Sequence, residues 1–368
     1  MAGALTRRLG ELARLFLTLG LLGFGGPAAH IAMMEERVVR RRRWMAREEF
    51  LELVGVVNLL PGPNSTELAI HIGYRQAGVP GLLVAGLAFI VPSTVIVLVC
   101  AWAYARYGTV PAVQDVWRAV QPVVVAVVAT ALVKFARTGL RTVRLALLAG
   151  GALLLAALGV NEFLVLLAAG VLALGRAWPG RAGLAIPCLV PMVWLARAEA
   201  GAAELFLFFL RVGAVLYGSG YVLLAFLRGG LVEQGRLTEG QLLDAVAVGQ
   251  ATPGPVFTTA TFVGYLLAGT PGALAATAGI FLPAFLLVAA SGPLVRWVRR
   301  SPPARAFLEG VTAGSLALMA LVAWQLGRAA IDGPIPALVA VGSAVLLGAG
   351  VNSALLILGA AGLGLTLP

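Results

Sequence analysis

The sequence predicts an all-α polytopic membrane protein made of two homologous, inverted-topology repeats. It would have about ten transmembrane helices, with broken or re-entrant helices at two Pro-Gly-Pro motifs. Three observations lead there. Hydrophobic residues make up 60% of the 368 positions and charged residues only 12%, whereas about a quarter of a soluble domain is charged. The Pro61-Gly62-Pro63 core recurs as Pro253-Gly254-Pro255, each between apolar stretches that would otherwise read as one helix. Equivalent loops of the two halves carry contrasting amounts of basic charge.

The chain opens with an apolar segment, Leu9 to Met34, interrupted at Phe24-Gly25-Gly26-Pro27. Arg7-Arg8 before it and Ala28-Ala29 within it imitate a signal peptide. The same arrangement returns internally at Ala203 to Leu224, so the segment reads as retained structure. A charged stretch, Glu35 to Glu49, contains Arg37, Arg40 to Arg43 and Arg47. Phe50 to Leu60 leads into the first break, and a short helix runs on towards Gln76. Apolar spans follow at Val79 to Tyr104 and Val116 to Phe135, with shorter ones at Leu145 to Val160, Phe163 to Leu174 and Leu184 to Leu195.

The second half retraces this order. Leu205 to Phe226 is interrupted by Tyr217-Gly218-Ser219-Gly220, and Asp244 to Ala251 precedes the second break. Thr270-Pro271-Gly272 answers Val79-Pro80-Gly81, and Phe281-Leu282-Pro283-Ala284 answers Ile90-Val91-Pro92-Ser93. Phe307 to Gln325 matches the Val116 span, and Ile335 to Leu347 and Val351 to Leu365 close the chain. Matched breaks over this length divide the chain into repeats at 1–199 and 200–368.

Basic loops mark the cytoplasmic side of a membrane protein. The loop after the first broken segment is strongly basic, while its counterpart (Arg228, Glu233, Arg236, Glu239) is nearly neutral. The next pair reverses: Arg106 to Arg118 is weakly charged, but its partner carries Arg296, Arg299, Arg300 and Arg305. The third flips again, with Lys134, Arg137, Arg141 and Arg144 against Arg328 and Asp332. Equivalent loops therefore lie on opposite sides. The net charge of +11 belongs to these clusters, so nucleic-acid binding is not expected. Cys100 and Cys188 lie in apolar segments and support neither a disulfide nor a thiolate metal site.

Two prolines around a glycine must break a helix, and broken backbone at membrane depth is tolerated only in protein or beside a cavity. Paired breaks in two halves are the sequence pointer to a transporter's site. Pro63 and Pro255 can each open a new helix. The first N–H groups beyond them, at Asn64, Ser65 and Thr66 and at Val256, Phe257 and Thr258, would then face an anion. Asn58 and Gln250 are amides at the same place before each break, and Thr252, Thr258 and Thr259 add hydroxyls. Gly25, Gly26, Pro27 and His30 form a third break near the first, with Ser219 as the second-half counterpart. The alternative reading is that these polar groups only satisfy broken backbone. Glu67, His71 and Arg75 share one helix face; they form either a proton path or a stripe facing water. Glu52 and Asp244 occupy matching positions and are further coupling candidates. His30 and His71 alone make no zinc site, and no cofactor is expected.

At these residues the chain resembles the chromate ion transporter (CHR) family, in its long two-domain form. The motifs are Phe24 to His30, Arg41-Arg42-Arg43-Trp44, Leu60 to Glu67, Thr252 to Phe257, and Phe281-Leu282-Pro283-Ala284-Phe285. The resemblance implies export of chromate across the inner (cytoplasmic) membrane, driven by the proton gradient or the membrane potential. The expected partners are chromate or a related oxyanion, the lipid bilayer and a second copy of the chain in a homodimer. Tyr217-Gly218-Ser219-Gly220 departs from the family's usual phenylalanine and glycines, and Asn58 stands where many members have glutamine. Sulfate or another tetrahedral oxyanion is the rival substrate. An intramembrane enzyme is disfavoured, since no nucleophile–base pair or metal pair stands in the apolar segments.

Overall fold

The computed structural model describes residues 2–175, 201–217, 220–291, 298 and 301–366. Ser219, Cys188, the Leu184 to Leu195 stretch and Arg296, Arg299 and Arg300 lie outside the described residues. Among the described residues all regular structure is helical. In the first half it comprises α1 (Ala2–Leu22), α2 (Gly26–Met34), α3 (Arg47–Val57), α4 (Asn64–Tyr107), α5 (Pro111–Gly139), α6 (Val143–Ala157) and α7 (Glu162–Leu174). The second half holds α8 (Ala202–Val215), α9 (Leu223–Leu227), α10 (Glu239–Ala251), α11 (Thr259–Ala289), α12 (Pro302–Ala330), α13 (Pro334–Gly348) and α14 (Ser353–Thr366).

The first two breaks belong to hairpins that enter and return. Helix α1 buries Leu12, Leu15, Phe16 and Leu19, one face of a 3.6-residue period. It ends where Gly25 and Gly26 take φ of 103° and 74°, a region glycine enters freely. The chain then runs back through α2 and a π-helical segment, Glu35–Arg41. Arg42 Nη1 donates to the carbonyl of Glu11 (3.3 Å), so the return reaches back to the middle of α1, beside the start of the apolar segment. Arg8 donates to Gln76 Oε1 (2.8 Å), and Gln76 Nε2 to the carbonyl of Trp44 (3.2 Å). Arg75 pairs with Glu49 (3.7 Å). Both hairpins, α1–α2 and α3–α4, thus open at one mouth. Leu9 to Met34 folds back rather than crossing.

Helix α4 has two limbs. Between them Ala77 has φ −148°, ψ 25° and Gly78 φ 60°, ψ −146°. Helix α11 turns through the same angles, with Ala268 at −148°, 29° and Gly269 at 61°, −154°. The glycine conformation is essentially closed to other residues. The limbs then pack so closely that a Cβ on Gly73 would strike the carbonyl of Gly81, and one on Gly264 that of Gly272. Two places far apart in sequence make one unusual turn, which is structural evidence of the repeat.

The long limb of α4 also measures the orientation of the halves. It starts at the first mouth, beside Gln76, and midway its Ser93 lies against Gly254. Near its end Tyr104 Oη donates to Asp244 Oδ2 (2.9 Å), close to where α10 enters from the second mouth. From Val79 to Tyr104 the helix climbs about 37 Å at 1.5 Å per residue. The two mouths are therefore at opposite ends, as inverted repeats require. At the second mouth Arg236 holds Glu204 through two bonds (2.8 and 3.2 Å), and Arg228 bonds Glu239 (2.9 Å).

Four helical stretches among the described residues are long and apolar enough to cross a membrane: α4, α5, Val256–Ala289 and α12. Five more, including α6, α7, α13 and α14, are apolar but shorter. Arg144 Nη2 donates to the carbonyl of Ala173, so α6 and α7 form a hairpin whose ends meet. Leu147, Leu154, Leu338, Val341 and Val345 project outwards, the surface expected of helices facing lipid.

Because the mouths are opposed, a single cysteine placed near Gly235 should react with a membrane-impermeant maleimide from outside the cell. One near Arg42 should react only after permeabilisation. Labelling of both from the same side contradicts the inversion.

Candidate functional site

The ends of the re-entrant hairpins meet between the two mouths. The N–H of Gly62 donates to the carbonyl of Leu216, and that of Gly254 to the carbonyl of Gly23, each at 2.8 Å. Leu216 and Gly23 are equivalent residues, one before Tyr217 and one before Phe24. Each Pro-Gly-Pro break is therefore bonded to the broken helix of the other half. Gly62 and Gly254 have φ of 136° and 93°, which turns their N–H groups outwards from the hairpin tips. Ala284 lies by Gly62 and Ser93 by Gly254, again across the halves. Ser93 Oγ also meets Thr258 Oγ1 at 3.1 Å.

Several expected ligands are held by their own backbone. The N–H groups of Thr66 and Glu67 bond the carbonyl of Pro63 (2.8 and 3.0 Å), and that of Thr258 bonds Pro255 (3.1 Å). The third N–H of each first turn is thus already used, which leaves the N–H groups of Asn64 and Ser65 in one half and of Val256 and Phe257 in the other. Thr252, Thr258 and Thr259 donate their hydroxyls to the carbonyls of Val248, Pro255 and Val256, each at 2.8 Å. Here the small polar residues do satisfy broken backbone.

His30 is similarly occupied. Its Nε2 lies 2.9 Å from the carbonyl of Gly23 and its Nδ1 3.3 Å from Ser65 Oγ. A carbonyl only accepts, so Nε2 carries the proton, and in the neutral ring Ser65 donates to Nδ1. The imidazole ties α2 to the start of α4. Gly25 and Pro27 are exposed, and Gly25 lies beside the side chain of Asn352.

The paired amides differ. Asn58 is exposed and accepts a bond from Asn64 Nδ2 (2.7 Å). Gln250 is 5% exposed, meets the Tyr221 hydroxyl, and leaves its Nε2 without a partner. Thr66 Oγ1 and Tyr217 Oη are also buried and unpartnered. Tyr217 carried no signal as a site residue in the sequence beyond its place in the break. Buried polar atoms without partners are uncommon and call for an explanation.

From this centre a ladder leads to the first mouth. Glu67 is 0% exposed, neither carboxyl oxygen has a partner, and Tyr217 is its electrostatic neighbour. A Cβ on Gly62 would come within 2.6 Å of Glu67 Oε1, so the carboxyl lies at the hairpin tip. One turn on, His71 is 4% exposed with Nε2 unpartnered. Another turn reaches Arg75, paired with Glu49 at the mouth. Glu52 and Asp244 do not share an environment: Glu52 is exposed, whereas Asp244 is buried and clamped by Tyr104 and by Gln121 Nε2 (3.0 Å) at the second mouth.

The cross-half packing can be tested through Gly254, where a Cβ would stand 2.7 Å from that of Ser93. Gly254→Ala should lower stability by about 1–3 kcal/mol. Ser93→Gly should recover part of that loss in the double variant, read as thermal midpoints of purified protein. Purely additive effects would mean the two residues do not touch.

Comparison with known proteins fits this architecture. The family described as chromate transporter matches residues 10–174 and again 203–365. A chromate transport protein of Cupriavidus metallidurans is 34% identical, covering 93% of this chain and 88% of its own length. A probable chromate transport protein of Synechococcus elongatus is also 34% identical, over 87% and 85%. A chromate transport protein of Pseudomonas aeruginosa is 32% identical, over 86% and 81%. No solved structure matches. With both halves matched and relatives aligned over most of their length, this chain belongs to the chromate transporter family.

Proposed function

We propose that the chain is a secondary transporter, not an enzyme, that exports chromate from the cytoplasm across the inner membrane. The oxyanion would bind where the first turns after Pro63 and Pro255 approach each other. The observation that carries this reading is the set of unpartnered buried atoms there: Thr66 Oγ1, Gln250 Nε2 and Tyr217 Oη. All three are able to donate a hydrogen bond. The two helix starts add roughly half a positive charge each. Such a site holds an anion without a buried arginine, and binding that is moderate permits release. The names of the similar proteins support chromate as the substrate.

Two energy sources fit. Outward movement of one negative charge from a negative interior gains about 2.3 kcal/mol per 100 mV. A proton carried along Glu67 and His71 would couple export to the proton gradient, because both sit buried between the centre and the mouth with free polar atoms.

Gln250→Leu removes a donor and should weaken chromate binding by about 1.5–3 kcal/mol, roughly ten- to a hundredfold. Asn58→Leu should have a much smaller effect, since Asn58 is exposed and pairs with Asn64. Equilibrium binding to purified protein separates the two; equal losses, or none, would move the site elsewhere.

Glu67→Gln keeps the shape of the side chain but cannot carry a proton. Chromate flux in proteoliposomes should lose its pH dependence in this variant. An unchanged pH profile with full activity would make the ladder purely structural.

A further inference from the structure

A cavity of about 650 Å³ opens at the first mouth, apart from the hairpin tips, lined by Arg7, Gly10, Glu11, Arg14, Arg42 and Trp44. Its first wall is one face of α1, since Arg7, Gly10, Glu11 and Arg14 are spaced at i, i+3, i+4 and i+7. The opposite face of the helix is the buried apolar stripe, so packing fixes which side chains look into the cavity. Its other wall is the loop after the π-helical segment. There Arg43 takes φ 52°, a left-handed conformation unusual for a residue other than glycine. That turn lets Trp44 N–H reach the carbonyl of Val38 (2.9 Å). It also sets the Arg42 guanidinium over the indole, 4.9 Å from the ring centroid.

The charges do not cancel. Arg7 pairs with Glu11 (3.4 Å), but among the described residues no acid lies within ion-pair distance of Arg14 or Arg42. Arg42 donates to the carbonyl of Glu11 and stacks on Trp44, which directs its planar fork without neutralising it. Arg14 lies about 10 Å further along α1 than Arg7. Two uncompensated guanidinium groups in one basic cavity match a doubly charged tetrahedral anion, because the guanidinium fork fits phosphate oxygens in pairs. At the cytoplasmic boundary of a membrane protein, basic pockets between helices also accept phosphate headgroups.

We propose that this cavity is a second anion site, built for a phosphate-type group, which Arg14 and Arg42 hold from either side. It shares no residue with the hairpin tips. The two sites can be tested separately.

The test uses the full chain in neutral detergent. One arm measures binding of radiolabelled inorganic phosphate by equilibrium dialysis. The other counts phosphatidylglycerol retained from a phosphatidylcholine background by native mass spectrometry. Wild type should bind at least one of the two probes, and Arg14→Gln/Arg42→Gln should bind it at least tenfold more weakly. Loss in the first arm assigns the site to a soluble anion, and loss in the second to a lipid headgroup. Arg14→Gln alone guards against misfolding, since Arg14 has no ion-pair partner to lose; it should weaken binding severalfold with unchanged gel-filtration behaviour. Chromate binding should survive in the double arginine variant, so that loss of one site leaves the other measurable. Absence of both probes from wild type, or wild-type binding in the double arginine variant, overturns the proposal.

Discussion

Two backbone hydrogen bonds, from Gly62 to Leu216 and from Gly254 to Gly23, are the interaction on which the rest of the structure depends. The two Pro-Gly-Pro tips end inside the molecule, at a depth where water cannot satisfy a loose N–H or carbonyl, and an unmet group costs several kcal/mol there. Each half meets this need with the break of the other. Neither half is self-sufficient, so the repeats must associate tip to tip. That requirement seats each Pro-Gly-Pro break against the broken helix of the other half, with the unpaired carboxyl of Glu67 at the first tip.

Glycine is the residue that makes the arrangement possible. Positive φ at Gly62 and Gly254 aims the N–H groups across the interface. The close pairs Gly73–Gly81 and Gly264–Gly272 let each short limb lie flat on the long limb that follows it. The short limb is thus braced by the long limb of its own half, while its tip is bonded to the other half. The two mouths are held differently. The first relies on exposed pairs such as Arg75–Glu49, a type that contributes at most about 1 kcal/mol. The second adds a buried carboxylate, Asp244, bonded by Tyr104 and Gln121. The first mouth therefore has less to hold it shut.

Much of this was legible in the sequence, and for physical reasons. Pro-Gly-Pro must break a helix, and Gly78-Val79-Pro80 and Gly269-Thr270-Pro271 follow it at nearly the same distance in the two halves. Alternating basic loops carry the inversion in the sequence itself. Other features were hidden. Leu9 to Met34 is long and apolar enough to cross, and only three-dimensional contacts, Arg42 on Glu11 and Gln76 between Arg8 and Trp44, show that it returns. Asn58 and Gln250 occupy one register, yet a residue's register does not state its burial. The hydroxyls of Thr252, Thr258 and Thr259 look like ligands in a list, whereas in three dimensions each bonds a carbonyl three or four residues back. Tyr217 was visible only as part of a break, because its significance lies in facing Glu67 from the other half.

On the proposed reading, a tetrahedral oxyanion rests where the tips meet. Selenate has that shape and charge, and its selenium can be located by anomalous scattering in crystals of the full chain. One strong peak is expected within hydrogen-bond reach of the first turn after Pro63 and of Gln250, lost in Gln250→Leu crystals. A wild-type peak found only elsewhere, or one at the tips that persists unchanged in the variant, would contradict it.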